Sequence, residues 1–151
     1  MTTIYDVIKD IRDFLTNINI VNRVTFGDIS DVDLDKTTLF PLVHFFISSV
    51  TFNERTIQLE LSFLFLDIVD IVNDYSEDPN FQDNQIDIFN TQLAIANELV
   101  SHLRRGDLYV DNYHITDNPT GNMFKDRFEN QLAGWSINID VEVPNNLSIC
   151  P

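Results

Sequence analysis

The pattern GWSINIDVEVP (Gly134 to Pro144) alternates strictly. Trp135, Ile137, Ile139, Val141 and Val143 take every second position, with Ser136, Asn138, Asp140 and Glu142 between them. Period two over this length predicts a strand with one oily face and one acidic face, stopped by Pro144. LVHFFISSV after Pro41 and TIQLELSFLFLDIV from Thr56 read as two long antiparallel strands, joined by a hairpin loop near Thr51 to Arg55. A short strand over Val21 to Phe26 precedes them, closed by Gly27-Asp28. Ile57, Leu59 and Leu61 alternate with Gln58, Glu60 and Ser62, but from Phe63 to Leu66 both faces turn apolar. Helices cover one face of such a sheet, so the second face there needs another cover, either a loop of the same chain or a neighbouring subunit.

Two stretches follow the helical period. From Thr3 to Ile18 the stripe is Ile4, Ile8, Ile11, Leu15 and Ile18, widened by Val7 and Phe14, with Thr3 and Asp6 as an N-terminal capping pair. From Asp83 or Asn84 to about Arg104 the stripe is Ile86, Phe89, Leu93, Ala96, Val100 and Leu103, with Ile88, Ile95 and Leu99 alongside. Arg104 and Arg105 complement the helix dipole and Gly106 provides the stop. Between strand and helix, DIVNDYSEDPNFQDN (Asp70 to Asn84) is too long and polar for a plain connection, so residues 70–84 are expected to form an extended arm or functional loop. Leu108 to Ile115 reads as a strand and Asp117 to Asn122 as a turn. Met123 to Phe128 reads as extended, with a short helix as the other reading, and a break is expected near Ala133-Gly134. The order helix, strands, helix, strands predicts an α+β fold: an antiparallel sheet with two main helices packed on one face and a long hairpin or arm. At 151 residues a single domain over 1–151 is expected.

Charge narrows the function. Twenty-four acids against nine bases give a formal charge of −15, and no Lys or Arg occurs from Thr56 to Leu103. Nucleic-acid backbones are held by Lys and Arg, so specific binding of a polyanion is not expected. No apolar run is long enough to span a bilayer, and the first ten residues carry no secretory-signal pattern. The single Cys150 excludes an internal disulfide.

Candidate chemistry is sparse. Asp31, Asp33 and Asp35 imitate the first half of a calcium loop, but Lys36 stands where the glycine belongs and Leu42 where the glutamate belongs. His44, His102 and His114 are scattered and lie in no metal-binding spacing; His44, within an apolar strand, is expected to be a satisfied core or interface residue. There is no G-x-S-x-G and no glycine-rich phosphate loop. No cofactor, no metal and no catalytic residues are therefore expected, and enzyme activity is the weaker hypothesis. The expected interface residues are Phe63 and Phe65 on the doubly apolar strand and Tyr75 and Phe81 on the arm. The expected acidic surface is Asp67, Asp70, Asp74, Asp140 and Glu142.

The element order, the FPLVHFFI and IQLELSFLFLDI strands, the helix QIDIFNTQLAIANELVSHLRRGD and above all the end LAGWSINIDVEVP (Leu132 to Pro144) with Cys150 beyond it resemble the tail-terminator, tail-completion and neck proteins of tailed bacteriophages. The resemblance implies a small sheet with helices on one side, assembled as a six- or twelvefold ring in the virion between portal and tail, after synthesis in the host cytoplasm. Copies of the chain and adjoining portal, neck or tail proteins would be its partners. The genome would pass through the lumen without specific binding, and no membrane would be involved. A soluble acidic adaptor that binds a basic protein is the alternative.

Overall fold

β3 (Thr56–Ile68) and β6 (Leu132–Pro144) pair antiparallel along their whole length, from Thr56 opposite Pro144 to Ile68 opposite Leu132, and form the spine of the sheet. The computed structural model describes residues 4–28, 40–68, 85–105, 113–125 and 132–144. Around the spine lie α1 (Ile4–Thr16), β1 (Arg23–Phe26), β2 (Leu42–Phe52), α2 (Gln85–Arg105), β4 (His114–Ile115) and β5 (Thr120–Lys125). The sheet order is β1-β2-β3-β6, with β4 and β5 set end to end along the far side of β6. Every pairing is antiparallel except β1 with β2, which run parallel, so the sheet is mixed rather than purely antiparallel.

The expected hairpin is present: the Asn53 N–H donates to the Thr56 carbonyl at 2.9 Å and closes the turn between β2 and β3. The break expected at Ala133-Gly134 is not. Gly134 lies inside β6 because the two central backbones meet there: a Cβ on Gly134 would sit 1.7 Å from the Phe65 carbonyl oxygen. Glycine here marks a close approach, not an end. The expected turn is shorter than drawn from the sequence, since Thr120, Gly121 and Asn122 already belong to β5. Of the strand expected over Leu108 to Ile115, the described residues show only His114 and Ile115.

Both helices cover the same face. Ile57, Leu59, Leu61, Phe63 and Phe65 of β3 and Ile137, Ile139, Val141 and Val143 of β6 are buried against Val7, Ile11 and Leu15 of α1 and Ile95, Leu99 and Leu103 of α2. Each of these large side chains contributes about 1.5–3 kcal/mol through burial. Phe45, Phe63 and Phe65 stack in sequence across β2 and β3, with ring centroids 5.4 and 6.0 Å apart. Trp135 anchors the lower end, its indole N–H donating to the Phe89 carbonyl at 2.9 Å. α2 is rotated relative to the stripe expected from its sequence. Ile88, Gln92, Ile95, Leu99 and Leu103 face inward, whereas Ile86 and Leu93 are about half exposed.

On the second face, among the described residues, Phe40, Leu42, Leu66 and Leu132 form a small separate core at one end. This settles which cover the doubly apolar stretch uses. Phe63 and Phe65 point to the helices and Leu66 to the small core, all with zero exposure. Phe63 and Phe65 are thus core residues, and the expectation that they contact a neighbouring subunit is corrected: no atom of either is accessible to one.

Candidate functional site

Away from the small core, the second face is polar and partly exposed. Glu60 of β3 stands directly opposite Asp140 of β6, and Gln58 opposite Glu142. On the far side of β6, Glu142 is opposite His114, and the Thr116 N–H donates to the Asp140 carbonyl at 3.1 Å. The Ser49 hydroxyl donates to the Glu60 carboxylate at 2.8 Å, and Ser62 joins Ser48 and Asn138 in a chain of side-chain hydrogen bonds. Like charges directly across a ladder cost stability rather than add to it. Among the described residues no Lys or Arg forms an ion pair with Glu60, Asp140 or Glu142. Asp140 and Glu142 therefore stand together on an acidic face, as their alternation in the sequence implies.

Asp67 does not join them. It lies on the helix side of β3, opposite Ala133, and is partly buried. Burial raises its carboxyl above the ordinary range, against a smaller opposing effect of the Ile68 N–H, which donates to Oδ1 at 2.8 Å. Asp67 thus stands on the opposite face of the sheet from Asp140 and Glu142, so the three do not share one patch. Asp70, Asp74, Tyr75 and Phe81, and with them the whole 70–84 arm, lie outside the described residues, as do Asp31, Asp33 and Asp35.

His44 and His102 are engaged in contacts within the fold. His44 is fully buried, with Nε2 2.7 Å from the Gly27 carbonyl and Nδ1 2.7 Å from the Thr25 hydroxyl. A carbonyl only accepts, so Nε2 carries the proton and Nδ1 accepts from Thr25. Burial lowers the pKa of His44 below 6.5, only partly offset by the Gly27 carbonyl and Asp28. His102 packs its ring against Phe14 at 4.5 Å, with Glu98 3.7 Å away. Among the described residues no three His, Cys, Asp or Glu side chains gather to hold a metal. A polar cleft of about 300 Å³ between the end of α2 and β4 is lined by Arg104, His114, Asp117 and Asn118. Arg104 there donates to Asn118 at 3.0 Å.

What the sequence reading missed is the apolar surface at the edges of the sheet. β1 covers β2 only as far as Phe45, where the Gly27 N–H donates to the Phe45 carbonyl and the chain turns away. Beyond that point no described strand pairs with this side of β2, and Phe52 is 77% exposed and Val50 39% exposed. Phe26, Phe46 and Ile47 line a shallow apolar recess beside it. At the opposite edge, β5 exposes Thr120, Gly121, Asn122 and Met123. An aromatic beside the turn in the hairpin segment VTFNERT was the available signal, because a side chain at a strand end has neighbours on one side only. Comparison with protein-family models and with curated proteins finds no match to this chain. No helix among the described residues is long and apolar enough to cross a membrane.

Proposed function

We propose that this chain is a structural virion protein that assembles with copies of itself into a ring in the neck or tail of a tailed bacteriophage, joining the head side to the tail. The observation that carries the reading is the one-sided sheet: helices bury one face, while Glu60, Asp140 and Glu142 stand on the other, and among the described residues no Lys or Arg forms an ion pair with them. Such a face suits the wall of a channel through which a genome moves. Phosphate contacts need Lys and Arg, and a wall without them repels the polyanion instead of holding it. Uncovered apolar residues at both sheet edges supply contact surface for neighbouring subunits, and contacts of unlike patches close into rings when the rotation allows. Negative-stain microscopy and native mass spectrometry test the reading. Rings with a central hole and one repeated mass are expected. A protein that stays monomeric at high concentration and does not join purified portal or tail particles refutes it.

The same unneutralised face favours a second reading, a soluble adaptor that binds a basic protein. That reading requires one-to-one binding that weakens steeply with salt, without self-assembly.

A further inference from the structure

Among the described residues no strand pairs with the outer side of β2 beyond Phe45 or with the outer side of β5, and each edge exposes apolar side chains on the helix side. We infer that they are made for each other: the β2 edge of one copy pairs antiparallel with the β5 edge of the next, continuing one sheet through the assembly. The inference rests on the ring reading above and names the contact that would build the ring.

Directions and hydrogen-bond phase agree with this. β2 and β6 run one way and β3 and β5 the other. A copy placed head to tail therefore sets its β5 antiparallel to β2. The Gly27 bond to the Phe45 carbonyl fixes which backbone groups of β2 look outward, and the ladder beyond carries this to Ile47, Val50 and Phe52. Counting through the paired strands, the residues of β5 that look outward are Gly121, Met123 and Lys125. The outward residues at both edges belong to the helix-covered face, because four antiparallel strands, an even number, separate the two edges. Hydrogen-bonded pairing therefore also matches the faces. With an odd number it would not.

One register satisfies the side chains as well. Setting Thr51 opposite Asn122 places Val50 opposite Met123 and lays the exposed Phe52 ring over Gly121. An aromatic across from an edge glycine is a favourable pair. The segment Phe46–Phe52 carries no charge, in a chain of net charge −15. Two such acidic molecules repel over most of their surfaces, and a neutral edge is where a second copy can approach.

The geometry also closes. Asn122 lies level with Leu64 of β3 and Thr51 with Gln58, six residues along the strand. That stagger is about 20 Å, spread over about 19 Å for four strand spacings. The strands would incline by about 45°, at the upper end of the tilt of closed barrels, about 35–45°.

Thr51 and Asn122 would form a non-hydrogen-bonded pair, the spacing a disulfide spans. In a Cys150→Ser background, the double variant Thr51→Cys/Asn122→Cys is expected to give a ladder of covalent multimers beyond the dimer on oxidation, while each single variant gives none. Val50→Lys, checked for folding by circular dichroism, is expected to lower the native mass to that of one chain. Covalent dimers from Thr51→Cys alone would show β2 pairing with β2 and overturn the inference. Wild-type rings that persist in Val50→Lys, with no ladder from the double variant, would overturn the edge contact and leave the ring reading standing. A wild type with neither rings nor ladder would remove both.

Discussion

Replacing Gly134 by alanine tests how closely β3 and β6 are joined. The added Cβ would stand 1.7 Å from the Phe65 carbonyl oxygen and 2.8 Å from its carbon. An ordinary carbon–oxygen contact is about 3.3 Å, so the strands must part locally by about 1.6 Å. The obstacle is backbone in the central strand pair, flanked by β2 on one side and β5 on the other, and it cannot swing aside as a side chain would. A displacement of that size breaks about two ladder hydrogen bonds and strands their buried groups, at about 1–3 kcal/mol per unsatisfied group. The expected loss is about 3–5 kcal/mol, a large part of the stability of a domain this size. Urea unfolding followed by circular dichroism should show the midpoint falling by about 2 M. Gly27→Ala is the control. Its φ of +115° disfavours a side chain, but nothing lies within 4 Å of the added atom, so about 1–2 kcal/mol is expected. A Gly134→Ala protein that loses less than the Gly27→Ala protein would refute the close approach.

Other residues give independent checks. Phe63→Ala should cost about 3–5 kcal/mol in urea unfolding because the ring is wholly enclosed; loss of assembly with unchanged stability would return Phe63 to an interface. Gln92 is fully buried and, among the described residues, neither of its side-chain polar atoms has a hydrogen-bond partner, so Gln92→Met should raise stability by about 1–3 kcal/mol, and a comparable fall would expose a missing partner. His44 holds its proton less readily when folded than the ordinary 6.5. The unfolded chain then takes up the proton first as pH falls. The contribution of His44 is therefore full above pH 6.5 and declines below it; the urea midpoint of the wild type should drop more between pH 7.5 and 5.5 than that of His44→Gln, and equal drops would contradict the buried neutral imidazole.

The strands were legible because their period of two is unambiguous. Trp135 to Val143 and Ile57 to Leu61 could alternate only one way, so the oily face, the acidic face and the stop at Pro144 follow from composition and spacing. The second helix was legible in extent but not in orientation. Apolar residues lie almost all round it, and a reader choosing the oiliest stripe avoids Gln92, which packing against β3 and β6 nevertheless turns inward. Gly134 looked like a break because a glycine in a strand carries no sign of the backbone lying against it.

The sequence by itself determined which residues alternate, where helices can run and that acids far outnumber bases. These are local properties or sums, and no partner is needed to read them. Only the tertiary structure decided that Phe63, Phe65 and Leu66 are sealed within one chain, that Asp67 is parted from Asp140 and Glu142, and that Val50, Phe52 and Met123 stand exposed at the sheet edges. Exposure depends on which strand lies next to which, and β1 stops beside Phe45 while β2 runs on to Phe52. Strand order comes from contacts between residues far apart in the chain, so no local pattern records it.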